Sequence, residues 1–189
     1  MTIQSVSITN LYGNDYKWQL NSDVNILIGA NGTYKSTILQ IIDSDYHSIG
    51  NSKWLYSDYL LECPNLKVEI TKDNPIKVNF EDEVDELKDK FSRADKLIKE
   101  IIPSYKSYQE CSAGQRSLLS IFACKGDIVI LDNPENNLHI DWQRNLIKWI
   151  RELNPTCQII LTTHSPTIYY QGWIDKVTRI EEIKINQAG

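Results

Sequence analysis

The feature that most constrains this chain is a glycine-containing loop between a short apolar strand and a helix. Val24–Ile28 is a mostly apolar run, residues 29–37 read Gly-Ala-Asn-Gly-Thr-Tyr-Lys-Ser-Thr, and apolar residues then recur at helical spacing. This order turns backbone N–H groups and a helix N-terminus toward one point, where they can bind phosphate oxygens. An ammonium for the outer phosphates and a hydroxyl for Mg²⁺ complete such a site. The sequence therefore predicts a phosphate-binding loop built by Gly29, Gly32, Lys35 and Ser36.

Tyr34 departs from the usual pattern of such loops, G-x-x-x-x-G-K-[ST]. It stands at the second glycine position, so three of the four fixed positions match. A tyrosine there either adopts the backbone angles of glycine, at about 1–3 kcal/mol if they are strained, or shifts the loop. Its phenol could also lie against a bound nucleotide. The alternative reading of the segment is an ordinary β-to-α turn with a surface lysine.

Two more apolar strands end in residues that can act beside this loop. Asp127–Leu131 leads into Asp132, a carboxylate placed to hold Mg²⁺ through water. Gln158–Thr162 delivers His164 at its carboxyl end, where open α/β sheets bind ligands. A lone histidine is more often structural, and the strand ending in aspartate is weak evidence when taken alone.

The remaining pattern predicts an α/β fold in one domain over residues 1–189. Helices at 36–43, 115–124 and 142–153 alternate with the strands, which favours a mostly parallel sheet with flanking helices. Ser112 has the residue type and place of an N-cap for the second of these helices. Alternating segments predict an antiparallel β subregion, with hairpins at 3–20 and 66–80, and residues 81–102 predict an amphipathic helix ended by Pro103.

Composition excludes several classes of protein. The 189 residues carry a net charge of −5 with a pI near 5.2, which argues against general binding to nucleic acid or anionic lipid. A local basic patch remains open at Lys88, Lys90, Arg93, Lys96 and Lys99, although interleaved acidic residues favour a solvated helix face. The four cysteines are scattered, and neither a secretory signal nor a membrane span is visible. We therefore expect a cytoplasmic protein with reduced thiols.

Taken together, these motifs resemble the nucleotide-binding domain of the ABC ATPase superfamily, in the soluble branch that includes SMC, RecF and OLD-type proteins. The order is that of the family's Walker A, signature, Walker B with D-loop, and switch histidine, at Gly29–Thr37, Ser112–Gln115, Asp132–His139 and His164. The resemblance covers nearly the whole chain and implies a P-loop NTPase fold. The segment between Walker A and the signature is too short for coiled-coil arms.

The resemblance also implies roles for individual residues. Lys35 and Ser36 would bind phosphate and Mg²⁺, Asp132 would orient the metal, and His164 would contact the γ-phosphate. Ser112 and Gly114 would meet the γ-phosphate of ATP held by a second subunit, which implies a head-to-tail homodimer. The expected cofactors are ATP and Mg²⁺, and the expected nucleotide contacts are Gly29, Asn31, Gly32, Tyr34, Lys35, Ser36, Thr37, Ser112, Gly114 and Gln115.

Asn133 is a second departure, because the family usually has the catalytic glutamate after the Walker B aspartate. An amide can accept a hydrogen bond from water but cannot take its proton, and loss of a general base costs about 10²–10⁴ in rate. We therefore expect slow hydrolysis or none. Glu135 is a carboxylate two residues further on and is the alternative base, so Asn133, Glu135 and His164 are the candidate catalytic residues.

Three points stay open at this stage. The family's adenine-stacking aromatic could be Tyr12, Tyr16 or Trp18, and its Mg²⁺-binding loop glutamine cannot be placed, since Gln40 and Gln109 lie elsewhere in the motif order. The chain would operate a partner, such as a nuclease, DNA or a toxin, in DNA repair or phage defence. The alternatives are a nucleotide-sensing module that does not hydrolyse ATP, and a scaffold in which Tyr34 prevents binding.

Overall fold

The architecture is that of two four-stranded sheets joined by helices, seen in a computed structural model that describes residues 2–47, 63, 65–72, 95–105, 108–122 and 126–185. The first sheet is antiparallel and has the order β4-β1-β2-β8. Its strands are β1 (Ile3–Leu11), β2 (Asn14–Gln19), β4 (Lys67–Lys72) and β8 (Lys184–Ile185). In register, Val6 lies opposite both Trp18 and Ile70, so apolar side chains share one face.

The second sheet is parallel and has the order β5-β6-β3-β7. Its strands are β3 (Val24–Ile28), β5 (Ile128–Asp132), β6 (Gln158–Thr162) and β7 (Val177–Arg179). All five residues of β6 are buried, as expected for a central strand covered on both faces. The carboxyl ends of the four strands lie at one edge, which brings the segments after β3, β5 and β6 together.

The helices cover the parallel sheet. They are α1 (Lys35–His47), α2 (Ala113–Phe122), α3 (Ile140–Leu153) and α4 (Ile180–Ile183), and residues 95–101 are also helical. On α1, the four apolar residues at positions 38, 39, 41 and 42 are each at most 1% exposed and pack with the antiparallel sheet in one core. A second core contains the buried faces of α2 and α3.

The side chain of Gln158 joins the two sheets. Its Oε1 accepts a hydrogen bond from the Ile3 N–H at 2.8 Å, and its Nε2 donates to the carbonyl groups of Ile3 and Asn21 at 2.8 and 2.7 Å. Gln158 is fully buried, so its amide groups cannot bond to water. These hydrogen bonds within the protein satisfy them instead. Gln158 thus fixes the start of β1 to the start of β6.

Most of the elements expected from the sequence are confirmed. The opening hairpin is β1 and β2, the parallel strands have the expected positions, and α2 and α3 begin two residues earlier than the apolar periodicity indicates. The expected strand at 76–80, most of the helix at 81–102 and the basic residues Lys88, Lys90 and Arg93 lie outside the described residues. Lys99 pairs with Asp95 at 2.6 Å on an exposed helix face, in agreement with a solvated surface.

Candidate functional site

The loop of residues 29–37 connects β3 to α1 and has the glycine-dependent geometry that the sequence predicts. A Cβ atom on Gly29 would collide with the Ile180 side chain at the start of α4, so only glycine fits there. Gly32 has φ 76°, a left-handed conformation that glycine adopts without steric cost. Asn31 and Gly32 are exposed, which leaves their backbone open to a ligand.

Tyr34 takes the glycine-like backbone conformation at the departure from the usual pattern. Its φ is 65°, and its ring stacks on the ring of Tyr12, with centroids 4.9 Å apart and planes 14° from parallel. Holding a tyrosine in this left-handed region costs about 1–3 kcal/mol. Offset ring stacking returns about 0.5–1.5 kcal/mol, and contact with the first core adds to it. Of the two sequence expectations, a strained tyrosine or a shifted loop, the structure shows the first.

Lys35 lies under the loop and is 5% exposed. Its Nζ donates to the Ala30 carbonyl at 2.8 Å and lies 3.5 Å from Thr33 Oγ1. Burial lowers the pKa of Lys35 below its ordinary value, while the negative charges of Asp132 and Glu181 act in the opposite direction. The ammonium group is therefore held by the loop's own backbone and poorly compensated by charge, which favours a bound anion.

Ser36 and Asp132 meet across the carboxyl edge of the sheet. The Ser36 hydroxyl donates to Asp132 Oδ1 at 2.9 Å, and Thr162 Oγ1 also donates to this oxygen in a short hydrogen bond. A hydroxyl and a carboxylate are the oxygen ligands that Mg²⁺ takes in phosphate-loop proteins, with water and phosphate completing its shell. The residues present therefore fit a Mg²⁺ ion at Ser36 and Asp132.

Asn133 and Glu135 follow β5 and each carry a buried oxygen with no partner among the described residues. The Asn133 amide donates from Nδ2 to Asp132 Oδ1 at 3.0 Å, which leaves Asn133 Oδ1 unpaired. Glu135 Oε1 accepts the His164 backbone N–H at 2.7 Å, and its Oε2 is unpaired. Buried polar oxygens without partners are rare, and these two can each accept a hydrogen bond from water or from a ligand.

Gln143 is a residue of this region that sequence reasoning missed. On α3, its Oε1 accepts the Ser165 hydroxyl at 2.8 Å, and its Nε2 donates to the Leu138 carbonyl at 3.0 Å. It thereby links the turn after Asp132 to the segment that contains His164. No local pattern marks such a residue, since a polar side chain in the first turns of an amphipathic helix is ordinary.

The predicted signature residues lie at the start of α2. Ser112 and Gln115 form a reciprocal capping box, in which Ser112 N donates to Gln115 Oε1 at 2.8 Å and Gln115 N donates to Ser112 Oγ at 3.3 Å. Ser112 is therefore the N-cap of α2, as the sequence predicts. A Cβ atom on Gly114 would collide with the carbonyl oxygen of Asn137, so the helix start packs closely on the turn after Asp132. Ser112 and Asn137 are both exposed on this shared surface.

Two of the three aromatic residues proposed to stack adenine are excluded. Tyr16 and Trp18 are 4% and 2% exposed in the first core, because both point to the inner face of β2. Tyr12 is 38% exposed, so burial does not exclude it. Gln40 lies within α1 and Gln109 in a short 3₁₀ turn at Tyr108–Glu110, so neither is identified as the metal-binding loop glutamine.

A cleft of about 340 Å³ opens beside the loop at the ends of β3, β6 and β7. Its lining includes Gly29, Ala30, His164, Tyr169, Arg179 and Glu181. His164 is exposed and borders this space through the segment after β6. Arg179 and Glu181 lie in β7 and α4, which the sequence patterns did not predict, so both are further residues missed at the sequence level.

Comparison with known proteins agrees with this fold. A family profile described as "AAA domain, putative AbiEii toxin, Type IV TA system" matches residues 107–168, which include α2, β5, α3 and β6. The SMC head domain from Thermotoga maritima superposes with a TM-score of 0.53 at 13% identity, over 90% of this chain and 92% of that one. The chain thus has the mixed α/β fold of the SMC head domain, as expected from the sequence.

A second solved structure, of a transporter, is less similar to this chain. The structure titled "An inward-facing conformation of a putative metal-chelate type ABC transporter." matches with a TM-score of 0.49 at 17% identity, over 89% of this chain and 76% of that one. No curated protein sequence matches the chain. In the described part of the chain, no helix has the length and hydropathy needed to cross a bilayer, and no cluster of His, Cys, Asp and Glu forms a separate metal site. Among the described residues, Cys63, Cys111 and Cys157 are buried and are not in disulfides.

Proposed function

We propose that the chain is a nucleotide-binding head that binds ATP with Mg²⁺ in the loop of residues 29–37. The observation that carries this proposal is the 2.9 Å contact between Ser36 Oγ and Asp132 Oδ1, residues 96 positions apart, beside the buried Lys35. When bound, Mg²⁺ would neutralise phosphate charge and be held by these two oxygens. Lys35 would exchange its bond to the Ala30 carbonyl for a phosphate oxygen, which compensates its buried charge.

We further propose that ATP joins two copies of the head in a head-to-tail dimer. The start of α2 and the turn at Asn137 form one exposed surface, held together by the close approach of Gly114. In the capping box the Ser112 hydroxyl accepts a hydrogen bond, so its own proton can be donated to a phosphate of the other copy. Gln115 supports this arrangement by fixing the Ser112 backbone.

Hydrolysis in this proposal is slow, and Asn133 is the reason. Its amide is held by Asp132 and can orient water through Oδ1, but it cannot take the proton. Glu135, in the turn after Asp132, has the nearest further carboxylate in the sequence. Its Oε1 accepts a hydrogen bond from the His164 N–H. If Glu135 replaces the missing base, it does so through Oε2. The second candidate function, a nucleotide-sensing module with no turnover, is favoured by the same amide.

The partner in this proposal is a protein effector. The family profile that matches residues 107–168 names a toxin of a type IV toxin–antitoxin system, which supports a place in phage defence. The net charge of −5 makes DNA a less favourable partner than a protein, whether that protein is a nuclease or another effector. A cytoplasmic location is consistent with the buried cysteines Cys63, Cys111 and Cys157, which are not in disulfides.

The proposal is tested by measuring ATP binding and phosphate release on the same samples. Ligand at 100 times its dissociation constant adds about 2.7 kcal/mol of stability, so a thermal shift reports binding even without turnover. We expect a Mg²⁺-dependent shift that is lost in Lys35→Ala and reduced in Asp132→Asn. Ser36→Ala is the matched variant for the metal, and it should lose Mg²⁺ dependence. No shift in the native protein, at millimolar ATP and Mg²⁺, would contradict the proposal.

Dimerisation needs its own experiment. Sedimentation velocity with and without ATP and Mg²⁺ should show a monomer that becomes a dimer. Ser112→Arg should abolish the dimer while leaving the thermal shift of the monomer, because Ser112 lies on the surface proposed to face the other copy. Arg116→Ala is a control on the same helix, since its Nε bonds the Cys111 carbonyl within the chain. A Ser112→Arg protein that still dimerises refutes the head-to-tail contact.

A further inference from the structure

The stacked pair of Tyr12 and Tyr34 connects the turn of the opening hairpin to the phosphate loop. The rings are nearly parallel at 14°, with centroids 4.9 Å apart. Both residues have left-handed backbones, with φ 49° at Tyr12 and 65° at Tyr34. Non-glycine residues keep such conformations only where the surrounding structure holds them. The ring stack therefore links two residues that both have strained backbones.

Tyr12 is fixed by contacts that do not involve Tyr34. Its backbone N–H donates to Cys63 Sγ at 3.4 Å, and its carbonyl accepts from Asn14 Nδ2 at 3.1 Å. The turn is thus anchored to the antiparallel sheet and to buried Cys63. Tyr34 instead belongs to the loop, one residue before Lys35, and its carbonyl accepts the first hydrogen bond of α1 from Ile38 N. The stack thus joins an anchored turn to the residue at which the loop becomes a helix.

We propose that Tyr12 is a positioning residue for the phosphate loop. Through the stack it holds Tyr34 in the conformation that a glycine would adopt, and so keeps Lys35 and the loop N–H groups in place for phosphate. This inference rests on the proposed binding of a nucleoside triphosphate and assigns the effect to its phosphates. A base stacked on Tyr12 is the competing explanation, and it predicts a different ligand dependence.

The test is a double-mutant cycle with two ligands. The variants are Tyr12→Leu, Tyr34→Gly and the double variant, and the ligands are ATP and inorganic tripolyphosphate, each with Mg²⁺. Tripolyphosphate has no base, so it reports the loop alone. We expect Tyr12→Leu to weaken both ligands by the same factor, about three- to tenfold, as loss of one aromatic stack does. In the Tyr34→Gly background the same change should have little effect, because glycine adopts the angle unaided.

Tyr12→Phe is the conservative control. It keeps the ring and removes the hydroxyl, so binding of both ligands should remain near that of the native protein. Loss of ATP affinity with unchanged tripolyphosphate affinity in Tyr12→Leu would overturn the inference in favour of base stacking. Equal losses in the native and Tyr34→Gly backgrounds would also overturn it, because no coupling would then pass through the stack.

The same cycle without ligand separates this inference from the proposed function. The midpoint of urea unfolding should fall in Tyr12→Leu, and by clearly less when residue 34 is glycine. If the native protein binds neither ATP nor tripolyphosphate, the proposed function fails and the loop has no phosphate to position. If it binds both ligands but the unfolding and binding cycles show no coupling, the proposed function stands and this inference fails.

Discussion

Replacing Asn133 by glutamate should raise the rate of ATP hydrolysis at the proposed site. The change supplies the general base that the amide lacks, and a positioned base contributes about 10²–10⁴ in rate. We therefore expect Asn133→Glu to raise phosphate release by at least about a hundredfold. The assay is steady-state phosphate release at saturating ATP and Mg²⁺, measured over a range of protein concentrations because the proposed active form is a dimer.

The structure also predicts what this substitution does to stability. Asn133 has φ 46°, which asparagine tolerates, and a glutamate there costs about 1 kcal/mol more. The bond from Asn133 Nδ2 to Asp132 Oδ1 at 3.0 Å is lost, and bonds to charged groups are worth about 1.5–3 kcal/mol. The variant should thus be less stable by about 2.5–4 kcal/mol without ligand, and still folded at a typical stability of about 5–15 kcal/mol.

Asn133→Gln is the matched control for this prediction. It has the same length as glutamate and the same backbone strain, but it remains an amide and should not increase turnover. An Asn133→Glu protein that is folded, binds ATP as the native protein does and shows no rise in turnover would refute the reasoning. The limiting element would then lie elsewhere, either in Glu135 or in a missing partner.

Three further predictions concern Lys35, the link made by Gln143 and the close approach of Gly114. Burial lowers the pKa of Lys35, so this side chain loses its proton at a lower pH than an ordinary lysine does. The loss of ATP affinity on raising the pH should therefore begin below the pH at which an ordinary lysine titrates. Gln143→Ala removes the bonds to Ser165 and Leu138 and should cost about 1–3 kcal/mol in urea unfolding. Gly114→Ala should destabilise the chain by about 1–3 kcal/mol, because the added Cβ meets a backbone carbonyl that cannot move easily.

The predictions for Lys35, Gln143 and Gly114 each have a control variant. Lys35→Arg keeps the positive charge at all accessible pH values, so its alkaline loss of affinity should disappear, and an unchanged pH profile would exclude Lys35 as its source. Gln143→Glu keeps an acceptor for Ser165 while removing the amide donor, and should fall between the native protein and Gln143→Ala. Ala113→Gly, the reverse exchange next to Gly114, should cost less than about 1 kcal/mol. A Gly114→Ala protein as stable as the native one would show that the Asn137 turn moves freely.

The sign of the Lys35 effect on folding follows from the same pKa. The unfolded chain has an ordinary lysine, so between the lowered folded pKa and 10.5 it binds more protons than the folded chain. Stability from this residue therefore increases as the pH rises through that interval, and the cost of burying the charge is fully present below it. In the proposed complex, a bound polyphosphate would raise the pKa of Lys35 again and remove this cost.

The sequence predicted the elements whose signals are local. The apolar run before Gly29 and the periodicity after Ser36 identify the strand, loop and helix, and the parallel topology is enough to bring Ser36 and Asp132 to one edge. Of the three candidates for adenine stacking, Tyr16 and Trp18 are excluded by burial, and their spacing of two positions already places both on one face of a strand.

The contacts that the sequence could not predict are long-range side-chain bonds. Gln143 meets Ser165 across 22 positions, and Gln158 meets Ile3 across 155. A polar residue in a helix or at a strand end has many possible partners, and only the packed fold selects one. The short β8 strand is likewise visible only through its pairing with β2 at Asp15 and Tyr16.

The Gln158 side chain has a consequence for how the two sheets can move. Its side-chain amide bonds both the backbone N–H and the backbone C=O of Ile3, as a residue of a neighbouring strand would. A slide of β1 by one residue would break both bonds in a buried place, where no water replaces them. The Gln158 amide therefore fixes the register of β1 against the parallel sheet. Because Tyr12 directly follows β1, this register also determines where Tyr12 lies beside Tyr34 in the loop of residues 29–37.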